Sequence, residues 1–348
     1  MPCSIVPPYL LARIAEGAEE RALGVVARAA RRALAETGDV HRARRRAVFP
    51  FRGEDFGAAA RSPRRTIADA ESTETLPGVV VRREGEQATG DPAADEAYDG
   101  LGATFELFEA EYGRHSVDDR GGPLEATVHY GEEYDNAFWD GSRMVFGDGD
   151  GEIFRRFTVS LSVIGHELAH GVTQHTADLR YSGQSGALNE SLSDVFGALV
   201  EQRARDQDAA EASWLIGEGL FTDAVRGVAL RSMAAPGTAY DDPLLGADPQ
   251  PGHMDLFVHT EEDDGGVHIN SGIPNRAFAL AAQAVGGSAW RGVGRVWYAT
   301  LTRGGLSPDA GFAEFATATV AAATAHWGRA AREREAVVDA WRTVGIEP

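Results

Sequence analysis

The chain contains no lysine. Its 33 basic residues are all arginine and stand against 53 acids, for a net charge of −20 over 348 residues. So acidic a chain argues against a general nucleic-acid partner, because phosphate binding needs a positive footprint. Cys3 is the single cysteine, so no internal disulfide can form and no redox compartment is implied. No run of about eighteen apolar residues occurs, and no membrane span is expected. The opening residues, MPCSIVPPYLLARIAEGAEE, lack a basic n-region, and Pro7-Pro8 interrupts the place of an apolar core. This predicts no standard secretory signal and a cytoplasmic protein, with export by a non-classical route as the alternative. The composition, 43% hydrophobic and 25% charged, reads as soluble and globular, and a monomer is expected.

What is present centres on Phe157 to Gly171, FTVSLSVIGHELAHG. On a helix, His166 and His170 lie one turn apart on one face, with Glu167 beside them. Two neutral imidazoles are good Zn²⁺ ligands, and a neighbouring carboxylate can take a proton from an activated water. Val159, Leu161, Val163, Ile164 and Leu168 make the flanks apolar, so an unpaired His-Glu-His set there would be costly to bury. A catalytic zinc needs a third protein ligand. Glu190, on the helix expected next, is the best candidate. Asp194, one turn further, can orient a ligating histidine.

Residues 1–60 differ in charge from the rest, with ten arginines against seven acids, leaving −23 on the other 288 residues. Apolar spacing predicts one or two helices over 10–36, followed by the basic cluster Arg42 to Arg46 and a Gly/Ala-rich junction near 53–60. Strand signals appear at 78–82 and 126–130, with a helix between them starting near Asp91-Pro92. Asn136-Ala137-Phe138-Trp139 reads as an edge strand able to pair with an extended peptide. Gly147 to Gly151, GDGDG, reads as a turn. Helical patterns recur near 186–205, 212–220, 273–286, 289–304, 310–327 and 333–344, so the second half is mostly α.

The run HELAHGVTQHTADLRYSGQSGALNESLSDVFG resembles the core of the thermolysin family of zinc endopeptidases. NAFWDG, GDGDG, Arg231-Ser232-Met233 and Gly265-Gly266-Val267-His268-Ile269-Asn270-Ser271-Gly272 follow that family's order, and the likeness spans 75–348. Cys3 to Leu10, CSIVPPYL, resembles the short propeptide of the protealysin subgroup. The resemblance implies an α+β, two-domain fold: a mixed α/β half and a mainly helical half with the zinc helix between them. It implies a propeptide over 1–60, a catalytic domain over 61–182 and a helical domain over 183–348.

It implies one catalytic zinc on His166, His170 and Glu190, a ligand set known in thermolysin. Glu167 is then the general base, with His268 and Tyr181 as oxyanion donors and Asp263 orienting His268. Arg231, Asn136 and the backbone of Ala137 are expected to hold the peptide. Phe154, Phe157, Val163, Ile216 and Leu230 are expected to line an apolar pocket for the residue after the cut. His129, His175 and His259 fall outside this set. The family's double calcium site retains only Glu201 and Glu218, with Ser162, Ser213 and Val228 at other carboxylate positions. A double site is not expected, and a single one is left open.

In the expected lock, Pro7 and Pro8 extend the chain along the edge strand, Tyr9 or Val6 fills an apolar subsite, and cleavage falls between Phe56 and Thr66. A Cys3 thiolate on the metal is the alternative. Peptide substrates and the chain's own propeptide are the expected partners. An aminopeptidase of the same superfamily would carry a G-x-M-E-N-type run, which is missing. A binding protein with a dead site would have lost Glu167, His268 or a ligand, and all are present.

Overall fold

The computed structural model describes residues 3–46 and 62–348. The basic side chains at 42–46 and most of the expected cleavage stretch lie outside what is described. Strand β1 (Cys3–Ser4) leads into helix α1 (Pro8–Glu20) and, after a short turn, α2 (Gly24–Arg46), which packs on α1. Leu10, Leu11, Ile14 and Ala18 of α1 and Val26, Ala30 and Ala33 of α2 are buried, realising the helical periodicity.

The extended stretch ends earlier than expected. Pro7 is the N-cap of α1 with φ −64° and ψ 147°, and Pro8 is its first helical residue, where a missing N–H costs nothing. Residues 3–6, rather than the Pro-Pro pair, therefore form the extended segment.

Strands β2 (Arg65–Asp69), β3 (Val79–Arg83), β4 (Leu124–Val128), β5 (Ala137–Trp139) and β6 (Met144–Phe146) join β1 in one mixed sheet of order β1-β5-β6-β4-β2-β3. β2, β4 and β6 run parallel; β3, β5 and β1 are antiparallel to their neighbours. Without β1, β5 would be the edge of this sheet. Between β3 and β4 lies α3 (Pro92–Glu106), capped by Asp91, whose side chain accepts from Ala94 N at 2.9 Å. The GDGDG run is a turn: Asp150 Oδ1 accepts from the backbone N–H groups of Glu152, Ile153 and Phe154.

The metal-motif helix α4 (Leu161–Gln174) packs against α5 (Gly183–Ala204) at close range. The contact needs two glycines. A Cβ on Gly197 would lie 2.4 Å from Ser162 O, and one on Gly165 would lie 3.0 Å from Gly197 Cα. Short strands β7 (Leu215–Ile216), β8 (Arg231–Ser232), β9 (Asp241–Asp242) and β10 (Gly246–Ala247) follow. The helix expected over 212–220 does not form. Leu215 and Ile216 pair with Ser232 and Arg231, while Trp214, Gly217 and Gly219 take φ of 56°, 77° and 80°, which an α-helix excludes.

Helices α6 (Asp263–Asn270), α7 (Gly272–Val285), α8 (Val293–Arg303), α9 (Phe312–Trp327) and α10 (Arg332–Thr343) complete the chain. Trp297 stacks on Trp341 in their core, and Trp341 Nε1 donates to Thr319 Oγ1 at 2.8 Å.

His129, just after β4, is bound from both sides. Nδ1 lies 2.8 Å from Asp148 Oδ2, and Nε2 lies 3.2 Å from Asp91 Oδ2, tying the sheet to the cap of α3. The hydrogen bond to Asp148, with the charges of Asp148 and Asp91, raises its pKa from 6.5 to about 9 against the effect of burial. A raised folded-state pKa contributes stability that is complete below the unfolded value and is lost as pH rises through 9. Replacing His129 by Gln should therefore cost about 1 kcal/mol at pH 6, with the difference from wild type closing by pH 10 in denaturant titrations.

Candidate active site

On α4, His166 and His170 bring their Nε2 atoms within 3.0 Å of each other. Each ring is fixed at its other nitrogen. His166 Nδ1 bonds Asp194 Oδ1 at 2.7 Å, and His170 Nδ1 bonds Asn189 Oδ1 at 2.9 Å, with Ser193 Oγ at 3.0 Å. An Nδ1–H directed at its oxygen acceptor leaves the lone pair of a neutral imidazole at Nε2. Burial, reinforced by His166, lowers the His170 pKa to about 3 despite the pull of Glu190, so that ring is neutral near pH 7.

Glu190, from α5, reaches 3.6 Å from both Nε2 atoms. Burial favours its neutral form, but His268, His170, His166 and Arg231 outweigh this and hold it ionised, with a pKa of about 2. Two facing lone pairs repel, and the ionised carboxylate beside them adds a buried negative charge. A cation relieves both, so the donor set fits zinc. Among the described residues, His166, His170 and Glu190 are the one group of three with metal-ligand spacing.

Glu167 is buried beside them and its Oε2 accepts from Trp139 N at 3.0 Å. His268 stands opposite: Nε2 is 3.5 Å from Glu190 Oε2 and 3.3 Å from the Tyr181 hydroxyl, which itself donates to Glu190 Oε1. Asp263 grips His268 twice, Oδ1 at 2.6 Å from Nδ1 and Oδ2 accepting the backbone N–H at 2.9 Å. That grip requires a left-handed first turn in α6, where Asp263, Asp264, Gly265 and Gly266 have φ of 53°, 50°, 91° and 74°.

Arg231 is fully buried against Asp194, with Nε 2.9 Å from Oδ2 and Nη2 2.8 Å from Oδ1. Asn275 Nδ2 donates to the same Oδ2 at 2.8 Å. Burial would raise the Asp194 pKa, but Arg231 and His166 keep it well below the carboxylate range.

The cleft holds the chain's own N-terminus. Cys3 pairs with Trp139 and Ser4 with Phe138 across the strands. Ile5 N donates to Ala137 O at 3.0 Å, and Arg231 Nη1 donates to Ile5 O at 3.1 Å. Asn136 Oδ1 accepts from Val6 N at 3.0 Å while its Nδ2 donates to Val6 O at 3.2 Å. Ser4 O lies 3.2 Å from His268 Nε2. Ile5 and Val6 are buried in the same apolar core as Phe154, Phe157, Val163, Ile216 and Leu230. Tyr9 sits further along, beside Tyr240.

Two family models match the chain: the thermolysin metallopeptidase catalytic domain over residues 58–174 and the thermolysin metallopeptidase alpha-helical domain over 177–346. The chain is 49% identical over 346 residues to an extracellular metalloprotease of Pectobacterium carotovorum subsp. carotovorum, covering 99% of this chain and 96% of that one. It belongs to the thermolysin family. It is a zinc metalloprotease with that family's two-domain fold, a catalytic domain with a mixed sheet and a helical C-terminal domain.

Protease PrtS of Photorhabdus sp. (strain Az29) is 52% identical over 285 residues, covering 81% of this chain and 76% of that protein. Among solved structures, the precursor of protealysin, a metalloproteinase from Serratia proteamaculans, superposes with a TM-score of 0.89 at 49% identity, covering 99% of each chain. The likeness thus includes the N-terminal residues. The Pectobacterium relative is named extracellular, which overturns the cytoplasmic location expected from the opening residues.

Sequence spacing singled out His166, His170, Glu190, Glu167 and Asp194, and the family likeness singled out Tyr181, Asp263, His268, Asn136, Ala137 and Arg231; the structure brings all of these to one cleft. It missed Asn189 and Ser193, although both flank Glu190 in the same helix and their spacing carried the signal. It also missed Asn275, for which no local signal exists.

Where the family likeness would put a calcium site, Arg205 contacts both Glu201, at 2.7 Å, and Glu218, at 3.3 Å. Ser162 Oγ accepts from Gly217 N at 3.2 Å. Millimolar calcium should leave the thermal midpoint of the zinc-loaded protein nearly unchanged; a large rise would show that a divalent site persists.

Asp194→Asn should weaken zinc retention roughly 10–100-fold in chelator competition and raise KM through Arg231. Asn275→Ala should give a smaller loss in the same direction, since it removes one of the four donors to Asp194.

Proposed function

We propose that the chain is the self-inhibited precursor of a neutral endopeptidase that cuts on the amino side of bulky hydrophobic residues. The observation that carries this reading is the seating of residues 4–6 as an extended peptide beside the ligand cluster, held by β5, Asn136, Arg231 and His268. A substrate strand would use the same groups once the segment has left. Residues 1–60 are then the propeptide, 61–182 the catalytic domain and 183–348 the helical domain of a monomeric enzyme acting on peptides and proteins.

Zinc on His166, His170 and Glu190 supplies Lewis-acid polarisation and lowers the pKa of water. Glu167, buried and one residue from a ligand, takes the proton from the attacking water and passes it to the leaving nitrogen. The Tyr181 hydroxyl and His268 Nε2 donate to the carbonyl oxygen as it gains charge, and Asp263 keeps the His268 ring aimed. Arg231 binds the carbonyl after the scissile bond. Asn136 and Ala137 O fix the strand's register, so the reacting carbonyl arrives oriented.

Phe154, Phe157, Val163, Ile216 and Leu230 form the apolar wall for the residue after the cut, where burying a Leu, Ile, Val or Phe side chain contributes about 1.5–3 kcal/mol. Pro7, Pro8 and Tyr9 contribute to inhibition by ending the strand and starting α1, which anchors the segment. Removal of the propeptide between Phe56 and Thr66 releases the cleft.

The zinc-loaded fragment 61–348 should hydrolyse casein, lose roughly a hundred- to ten-thousand-fold in kcat with Glu167→Ala, and be inhibited by residues 1–60 added in trans. A peptide library should show Leu, Phe, Ile or Val after the cut. An intact precursor as active as the fragment would remove the lock from this reading, and a charged residue preferred after the cut would remove the specificity.

A further inference from the structure

The inhibitory segment lies in the cleft in the register of a substrate. Antiparallel pairing puts Ser4 opposite Phe138 and Cys3 opposite Trp139, whose backbone N–H binds Glu167. On one side of the Ser4–Ile5 peptide bond, the Ser4 carbonyl oxygen is 3.2 Å from His268 Nε2. On the other side, the Ile5 N–H is held by Ala137 O and the Ile5 carbonyl by Arg231. Ile5 is a bulky aliphatic residue and fully buried, as the residue after a cut should be. His268, Ala137 and Arg231, three of the groups assigned above to carbonyl polarisation and strand positioning, therefore flank one bond of the chain itself.

Resting on the function proposed above, we propose that the precursor hydrolyses its own Ser4–Ile5 bond in cis, and that the chain beginning at Ile5 stays locked. The oxygen of one water joins the Ser4 carbonyl carbon and the carbon–nitrogen bond breaks. Both water hydrogens end on the Ile5 nitrogen, leaving a Ser4 carboxylate and an Ile5 ammonium.

The cut removes the two β1 pairings, the His268 contact and the bond that Ser4 Oγ donates to Val6 O at 3.3 Å. Ile5 keeps the Arg231 bond, and Val6 keeps both Asn136 bonds. Helices α1 and α2 stay anchored through buried Leu10, Leu11, Ile14, Ala18, Val26 and Ala30, with Arg21 Nη2 on Pro243 O at 3.2 Å and Arg32 Nη1 on Glu132 O at 2.5 Å. A tethered product at an effective concentration of roughly millimolar continues to fill the primed side of the cleft. The lock is then a retained product rather than an uncut blocker, and release depends on the later cut at the junction.

The test uses the full zinc-loaded chain, followed by intact mass and N-terminal sequencing across a wide dilution series. Ile5 should become the N-terminal residue at a rate independent of protein concentration, while casein hydrolysis stays at the precursor level. Glu167→Ala should keep its original N-terminus. Ile5→Asp, which puts a charge in the apolar space, should slow the cut by roughly tenfold or more. Ile5→Pro, which deletes the N–H taken by Ala137, should not be cut there.

Hydrogen exchange of Glu167→Ala, with or without zinc, should show protected Ile5 and Val6 amides before any cleavage. Fast exchange at both residues overturns the register. An uncut wild-type N-terminus, or a rate that scales with concentration, overturns the cis cut if fragment 61–348 is active. If that fragment hydrolyses no peptide, the proposed function itself falls, and the exchange data still decide the register.

Discussion

Asp194 receives four hydrogen bonds inside a region closed to water: one from His166, two from Arg231 and one from Asn275. These donors come from α4, β8 and α7, so one carboxylate sets the angle of a zinc-binding ring and the position of the guanidinium that holds a peptide carbonyl. The cost of burying a carboxylate is several kcal/mol, and only a nearly complete set of partners offsets it. The metal end and the peptide end of the cleft are in this way parts of one ionic network. A change at either end is felt at the other through a group that touches no substrate.

That network depends on how close α5 can come to α4. Residues 185–202 of α5 are all buried, and they include Asn189, Glu190, Ser193 and Asp194. A helix apolar on every face would bury more easily but would supply no ligand. Here each of these polar groups meets a partner, on the α4 histidines, Tyr181 or Arg231, which makes the burial tolerable. The approach is set by Gly165 and Gly197, where side chains would collide with the opposite backbone. The two glycines act on the catalytic geometry only through the distance between the helices.

The opposite wall of the cleft is a sheet edge. β5 pairs with β6 on one side and presents its other row of backbone groups to the cleft, a template for any extended chain. In the precursor that row is covered by residues 3–5, and the two helices that follow add an apolar interface. By the function proposed here, the same edge serves both inhibition and substrate alignment. It discriminates between the two only by what anchors the strand beyond the cleft. Proline sets that boundary: Pro7 ends the strand and Pro8 begins the helix that anchors it.

Features confined to one element were legible in the amino-acid sequence. The i, i+4 spacing of His166 and His170, the Asp91-Pro92 helix start, the apolar stripes of α1 and α2 and the NAFW edge strand each follow from backbone periodicity or from a local side-chain bond. Glu190 and Asp194 were legible for the same reason, being one turn apart on the next helix. The stretch at 212–220 was misread because its apolar spacing fits a helix while its glycines and its pairing with β8 favour an extended chain. Tertiary structure alone decided the rest. Asn275 meets Asp194 across 81 residues, the Asp263 grip on His268 needs a left-handed turn, and Ser4 rather than Pro7 faces the catalytic groups. Such pairings are set by how whole elements pack, and residue spacing along a chain carries information only over the few residues that one turn or one pleat spans.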